Sequence, residues 1–126
     1  MYTVSVRDHI LIAHSLKHRS FGKAQNLHGA TFVVDAEFGT LELDSQNRVI
    51  DVGEASRILR EILSGLDYRN LDEVEEFRSQ MTTAEFLARQ IHDAVAEQVR
   101  SFFRGNLTIT LHESPVAWAS YTGKVE

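Results

Sequence analysis

A chain of 126 residues can form one domain over residues 1–126 and bury a core without disulfides or a structural metal. Its formal charge of -5 argues against a nucleic-acid partner, and no apolar run is long enough to cross a bilayer. The absence of cysteine excludes disulfides, thiolate metal sites and a cysteine nucleophile. With no export leader visible, we expect a cytoplasmic protein that binds neither nucleic acid nor membranes.

Alternating apolar residues predict strands in the first third of the chain. Residues 3–14 form the first strand, with one face made of Val4, Val6, Ile10, Ile12 and His14. The alternation resumes at His28, and its apolar face consists of Phe32, Val34, Ala36 and Phe38. After Gly39, the pairs Leu41/Leu43 and Val49/Ile50 flank a turn at residues 44–47, which predicts a short hairpin.

After these strands, the apolar residues recur at the spacing of helices. A first amphipathic helix is predicted from about Gly53 to Ser64, ended by Gly65, on the apolar series Val52, Ala55, Ile58, Leu59, Ile62, Leu63 and Leu66. A second is predicted from a capping box of Thr82 and Glu85 to about Phe103. Its buried stripe is expected to contain Leu87, Ile91, Ala94, Val95, Val99 and Phe102.

Two further strands, residues 107–111 and 116–122, are joined by a turn at Pro115. The element order is then β-β-β-α-α-β-β, with connections short enough for every adjacent pair of strands to be antiparallel. We therefore predict an α+β fold, an antiparallel sheet with two helices on one face. Phe103 and Trp118 are expected in the core or in an interface, because large aromatic side chains mostly supply buried area.

The histidines suggest a weak metal site. His14 ends the first strand and His28 begins the next, while the position two residues beyond His28, on the same face, is Ala30. A catalytic zinc usually needs three protein ligands, so two histidines alone are insufficient. From these residues alone, the simpler interpretation is that both are hydrogen-bonded polar groups at strand ends.

Several segments together resemble a known family. They are "ILIAH" ending at His14, "NLHGATF" at 26–32, "RVIDVGEASRIL" at 48–59, "LDYRNLDE" at 66–73, "TTAEFLA" at 82–88 and "HESPVAWASY" at 112–121. In this order and spacing the sequence resembles the 6-pyruvoyltetrahydropterin synthase and 6-carboxytetrahydropterin synthase family over nearly its whole length. The resemblance implies the tunnelling fold, in which sheets of neighbouring protomers join into a barrel. It also implies a homohexamer built as a dimer of trimers, with active sites between protomers.

The resemblance also shows what this chain lacks. The family's zinc ligands fall on His14, His28 and Ala30, so one ligand is missing. The family's cysteine base falls on Ala24, and the glutamate used by a related branch falls on Gln25, whose amide is no base. The Asp-His pair of the family's triad becomes Asp67 and Tyr68.

These departures argue against the standard reaction. Zinc in the family positions the substrate side chain while the cysteine and histidine move protons, and proton transfer needs groups that titrate near the working pH. Ala24 has no proton to give. Tyr68 can donate a hydrogen bond or act as an acid, but a phenol is rarely a base at neutral pH. We therefore expect no bound zinc unless another residue replaces the missing ligand.

The part of the family's site that recognises the ring is retained. Glu113 matches the glutamate that grips the pterin, and a carboxylate fits the paired N–H donors of a 2-aminopyrimidinone edge. Alternation places Glu113 on the apolar face of its strand, where we expect partial burial; pairing with an arginine or with water is the competing interpretation. Thr83 and Glu85 match residues near the pterin edge, although Glu85 has a competing role in the cap. Asp67 could hold a ligand N–H or satisfy turn amides.

Three functions remain open. The leading hypothesis is a tunnelling-fold oligomer that binds a pterin- or deazapurine-like ring through Glu113 without the zinc-dependent synthase reaction. The second is an active lyase in which His18, His9 or His112 replaces the missing ligand and Tyr68 supplies the acid. The third is a binding or regulatory protein with a vestigial site. His112 lies on the strand face opposite Glu113, and its role is left open.

Overall fold

The computed structural model describes residues 1–126 and contains one five-stranded sheet of order β3-β1-β2-β4-β5. The strands are β1 (Tyr2–His14), β2 (His28–Thr40), β3 (Arg69–Asn70), β4 (Gly105–Ser114) and β5 (Ala117–Val125). The helices are α1 (Val52–Ser64) and α2 (Ala84–Val99), and short 3-10 segments cover Arg19–Gln25, Leu71–Glu73 and Glu75–Phe77. No helix is long and apolar enough to span a membrane. The α+β class is confirmed.

The helices pack on one face of the sheet, as predicted. Alternate residues of the long strands face them and are fully buried, among them Ile10, Val34 and Ile109. The helices supply the matching apolar side chains, such as Leu59 and Leu87. Because one sheet face is apolar and each helix has one apolar stripe, this arrangement removes both from water.

Two strand predictions are wrong. The hairpin expected at Leu41–Ile50 does not form, because this segment closes on itself: the Asp44 carboxylate accepts from the backbone N–H groups of Gln46 and Arg48. The sheet is also not wholly antiparallel, since β3 pairs with β1 in parallel through Ile12 and Ala13.

Helix α1 agrees with its prediction, with Asp51 as N-cap and Gly65 as C-cap. Helix α2 differs at both ends. It ends at Val99 instead of near Phe103, which turns back so that its ring packs on Phe38, with 5.2 Å between ring centroids. Phe103 is therefore a core residue, whereas Trp118 is 59% exposed in the single chain.

The predicted capping box of α2 is wrong by one residue. Thr83, not Thr82, is the N-cap, and its hydroxyl accepts from the Phe86 backbone N–H. Glu85 is therefore the second helical residue, one position short of the place that a capping-box glutamate needs. Thr82 is left free to bond another partner, which proves to be a histidine of the site.

A polar cluster crosses the sheet face that the helices leave uncovered. The Arg7 guanidinium donates to both oxygens of Asp35 at 2.6 and 2.9 Å, and His112 Nε2 lies 2.8 Å from Asp35 Oδ2. The hydrogen bond from Arg7 is the largest cause that lowers the pKa of Asp35 below its usual value, and His112 adds to it. His112 thus faces away from the helices, opposite to Glu113, as predicted.

Because α2 packs closely on β5, the loss of stability on replacing a glycine should depend strongly on where that glycine lies. A Cβ at Gly123 would lie 2.8 Å from Cε1 of His92, which is 4% exposed and has little room to move. We expect Gly123→Ala to lower the free energy of unfolding by about 1–3 kcal/mol in urea denaturation. The matched control is Gly39→Ala, whose Cβ would meet the end of the flexible, exposed Met1 side chain. Its cost should stay within about 0.5 kcal/mol, and equal losses for the two variants would contradict the prediction.

The Asp35 cluster predicts a pH effect. A carboxyl whose pKa is lowered by folding adds stability above its usual pKa and loses that contribution as the pH falls through the folded value. In Arg7→Gln, we expect the pKa of Asp35 to rise towards its ordinary value and the acid loss of stability below about pH 4 to shrink. Carboxyl ¹³C NMR titration with urea unfolding measures both. Arg57→Gln, which breaks an ion pair on α1, should leave the pKa of Asp35 unchanged.

Candidate functional site

Two histidines meet where β1 and β2 end. The antiparallel register pairs His14 directly with His28, and the two ring centroids lie 4.7 Å apart at an interplanar angle of 60°. Each ring is held through Nδ1. His14 Nδ1 lies 3.0 Å from both the carbonyl and the hydroxyl oxygen of Thr82, and His28 Nδ1 lies 2.8 Å from the Asn26 carbonyl.

These contacts determine which nitrogen carries the proton. A carbonyl oxygen only accepts, so Nδ1–H is the donor in both rings. Burial, followed by the nearby His28, lowers the pKa of His14. In its neutral form each ring therefore presents an unprotonated Nε2 as a hydrogen-bond acceptor or metal ligand.

A cavity of about 630 Å³ adjoins the histidine pair. This volume lies within the usual range for small-molecule sites. Its lining consists of His14, Leu16, Phe21, Ala24, His28, Gly29, Ala30, Thr31, Phe32, Thr83, Glu85 and Glu113. The fold thus brings together residues that are far apart in sequence, including the expected ring ligands Glu113 and Thr83 and the positions Ala24 and Ala30. The two alanines keep the cavity open because neither extends a long side chain into it.

Glu113 reaches the cavity from β4, but it is exposed in the single chain. The partial burial expected from alternation is not found. Glu113 lies beyond the last pair between β2 and β4, Val33 with His112, and at an irregularity in the pairing with β5 between His112 and Ser114. None of the chain's ion pairs involves Glu113, so the structure does not support an arginine partner, whereas the exposed carboxylate agrees with the other competing interpretation, contact with water.

Asp67 and Tyr68 do not line this cavity. Asp67 Oδ1 accepts from the Leu11 backbone N–H at 2.9 Å, and its Oδ2 accepts from Arg60 at 3.2 Å. Asp67 thereby fastens the turn after α1 to the edge of β1. Tyr68 follows with a φ of 61° and is 82% exposed. Within one chain, these two positions are separate from the histidine pair.

The other candidate histidines are also outside the cavity. His112 bonds to Asp35 on the uncovered sheet face, and His9 lies on β1 beside Asp8. His18 caps the 3-10 segment, because its Nδ1 accepts a hydrogen bond from the Ser20 backbone N–H at 3.1 Å. None of the three lines the cavity with His14 and His28.

The donor set does not fit a three-ligand zinc site within one chain. No group of three or more His, Cys, Asp or Glu side chains is close enough to hold a metal ion. His14 and His28 are suitably oriented by their Nδ1 bonds, as metal-binding histidines commonly are, but the third ligand position is Ala30. The expectation that zinc does not bind remains a prediction.

Sequence analysis missed three contributors to the site. Thr82 was assigned to the helix cap, yet it is 2% exposed and orients His14. Leu16 and Phe21 line the cavity because the segment between β1 and β2 folds back, with the Leu16 N–H bonded to the Ala24 carbonyl at 2.9 Å. The available signal was Phe21, the one phenylalanine between the two strands.

Known proteins agree with this architecture. The chain is similar to the solved structure of Caenorhabditis elegans 6-pyruvoyl tetrahydropterin synthase, with 24% identity, a TM-score of 0.82 and coverage of 97% of this chain and 95% of that one. For the Plasmodium falciparum 6-pyruvoyl tetrahydropterin synthase the identity is 16%, the TM-score 0.78 and the coverage 98% of each chain. These likenesses show the fold, which is the tunnelling fold expected from the sequence.

A search of curated proteins finds no match. The family model described as 6-pyruvoyl tetrahydropterin synthase, however, matches residues 3–124. Because that match spans nearly the whole chain, the protein belongs to the 6-pyruvoyl tetrahydropterin synthase family.

Proposed function

We propose that this protein binds a pterin- or deazapurine-like ring and does not perform the standard synthase reaction. The observation that carries the proposal is Glu113, a carboxylate without a cation partner that borders a cavity of about 630 Å³. A carboxylate offers two acceptors side by side, and the amino and N–H groups of a 2-aminopyrimidinone edge are two donors side by side. Ring recognition thus needs no further charged residue.

Thr83 supplies a second contact in this proposal. Its hydroxyl oxygen accepts from the Phe86 N–H and caps α2, but its own O–H proton is free to be donated. A ring carbonyl or ring nitrogen at this edge of the cavity would accept it. The buried Phe32 of β2 contributes an apolar part of the lining.

Loss of the synthase reaction is supported by the chemistry of the lining. Ala24 occupies the place of the family's cysteine base, and no cysteine exists anywhere in the chain. The remaining triad positions, Asp67 and Tyr68, lie outside the cavity of the same chain, so they could act only on a site in another copy.

A second candidate function is an active lyase that holds zinc. This function is favoured by the hydrogen bonds that His14 and His28 make through Nδ1, which leave Nε2 available. Metal-binding histidines usually donate their other ring N–H to an acceptor in the same manner. It needs a further ligand from His9, His18 or His112 of a neighbouring copy, because none of them lines this cavity. The homohexamer, the cytoplasmic location and a purely regulatory role likewise remain proposals.

Calorimetric titration with biopterin tests ring binding. Replacement of Glu113 by Gln keeps its size but puts an amide donor where the ring has donors, so we expect at least a tenfold loss of affinity, about 1.4 kcal/mol. The matched control is Glu37→Gln on an exposed part of β2, which should bind as the unchanged protein does. If biopterin binds the Glu113 variant equally well, or does not bind the unchanged protein, ring recognition by this site is refuted.

Metal content and turnover separate the two functions. Protein purified without a histidine tag is analysed for zinc and incubated with dihydroneopterin triphosphate. The proposal expects less than stoichiometric zinc and no turnover. Stoichiometric zinc that disappears in His28→Phe, together with turnover, would establish the lyase instead.

A further inference from the structure

The segment between β1 and β2, residues 16–26, is hydrogen-bonded almost entirely to itself. The Leu16 N–H, for example, donates to the Ala24 carbonyl at 2.9 Å. One hydrogen bond joins the segment to the rest of the chain, from His28 Nδ1–H to the Asn26 carbonyl at 2.8 Å. Displacing this segment would therefore break one bond to the remaining fold, whereas displacing a strand would break a whole ladder of bonds.

The segment is also separate from the hydrophobic core. Leu16 is buried, yet it is the one buried apolar residue of the chain that does not belong to the core cluster. Neither Phe21 nor Ala24 packs against that cluster. These three side chains instead line the cavity. The apolar side chains of the segment therefore face the place of a ligand, and they add nothing to the core that stabilises the sheet and the helices.

The two ends of the segment are held together. His14 and His28, the last pair in the register of β1 with β2, precede and follow it, so the chain leaves the sheet and returns to it at one point. A compact surface loop that is closed at its neck and packed by its own side chains is frequently functional. Gly22, with a φ of 55°, allows a change of direction next to Phe21, since glycine adopts this conformation without steric cost.

Charge draws the segment towards the cavity. Lys17, Arg19 and Lys23 lie in it, it contains no acidic residue, and none of the three cations belongs to an ion pair. The lining of the cavity includes the carboxylates of Glu85 and Glu113. The opposite signs of the segment and the cavity favour the position in which the segment lies against the cavity, and salt screens this attraction.

We propose that residues 16–26 form a lid, which opens as a unit about its neck to admit a ligand and closes over the bound ligand with Phe21 against it. This inference rests on the proposed function, because it takes a flat ring to be the ligand. It gives the segment a gating role that is separate from ring recognition by Glu113 and Thr83. The described structure corresponds to the closed position, in which Phe21 lines the cavity.

Amide hydrogen exchange measured by mass spectrometry tests the lid. In the free protein, we expect residues 16–26 to exchange about 100-fold faster, or more, than the paired residues of β1 and β2. Saturating biopterin should slow this exchange about tenfold or more, because the closed lid is then held by the ligand. The control is the loop at residues 41–51, which does not line the cavity and should exchange equally with and without biopterin.

Two results of this experiment would overturn the lid. The first is protection of residues 16–26 equal to that of the strands in the free protein. The second is bound biopterin that leaves the exchange of residues 16–26 unchanged.

Dissociation kinetics test the contact made by Phe21. Phe21→Ala should raise the dissociation rate of biopterin about tenfold or more in stopped-flow fluorescence. The midpoint of urea unfolding should stay unchanged, because Phe21 does not pack on the core. Phe21→Tyr keeps the aromatic ring and should restore slow dissociation. The control Phe102→Ala removes an exposed ring outside the cavity and should not alter the rate. Equal rates for Phe21→Ala and the unchanged protein would contradict the inference.

The outcomes separate failure of the lid from failure of ring recognition. If biopterin does not bind, or binds the Glu113→Gln variant equally well, the proposed function fails and the lid fails with it. If binding depends on Glu113 but residues 16–26 gain no protection, ring recognition stands and the lid alone is refuted.

Discussion

The register between β1 and β2 is the constraint on which the remaining structure depends. Thirteen consecutive pairs, from Tyr2 with Thr40 to His14 with His28, place Ile10 against Phe32 in the core and end with two imidazoles side by side. A slip of either strand by one residue would turn its apolar side chains towards water and move its histidine to the opposite face of the sheet. Burial of the apolar core favours this register, and it therefore also determines where the candidate site lies.

The site is connected to the helical layer through two adjacent threonines with different tasks. Thr82 bonds to His14 and Thr83 caps α2, so the beginning of that helix and the orientation of the imidazole are set by the same short segment. Both bonds lie at the edge of the core, where an unpaired polar group would be costly. The cavity thus has one wall that is held by the packing of the whole domain.

Membership of the synthase family and the chemistry of this cavity lead to different expectations. A fold is retained through its core, and a chain 24% identical to the C. elegans synthase keeps that core with a TM-score of 0.82. Catalysis depends on a few side chains, and Ala24 and Ala30 stand at the positions to which the resemblance assigns the family's base and one zinc ligand. The lining that results contains His14, His28, Glu85 and Glu113, and the chain has no cysteine.

The strands, the helices and the apolar face of each could be predicted from the sequence, because alternation and helical spacing are local properties that burial directly selects. The resemblance likewise indicated His14, His28, Thr83 and Glu113, and these do line one cavity. Other features depended on competition between distant groups. Thr82 bonds to His14, 68 residues away in the sequence, and the neighbouring Thr83 caps α2 in its place. The segment after Gly39 forms hydrogen bonds to the Asp44 carboxylate instead of a hairpin. Glu113 is exposed at the irregular end of the β4–β5 pairing, and Asp67 is held at the edge of β1 by its bond from the Leu11 N–H. Both placements depend on contacts between distant parts of the chain, so only the tertiary structure determines them.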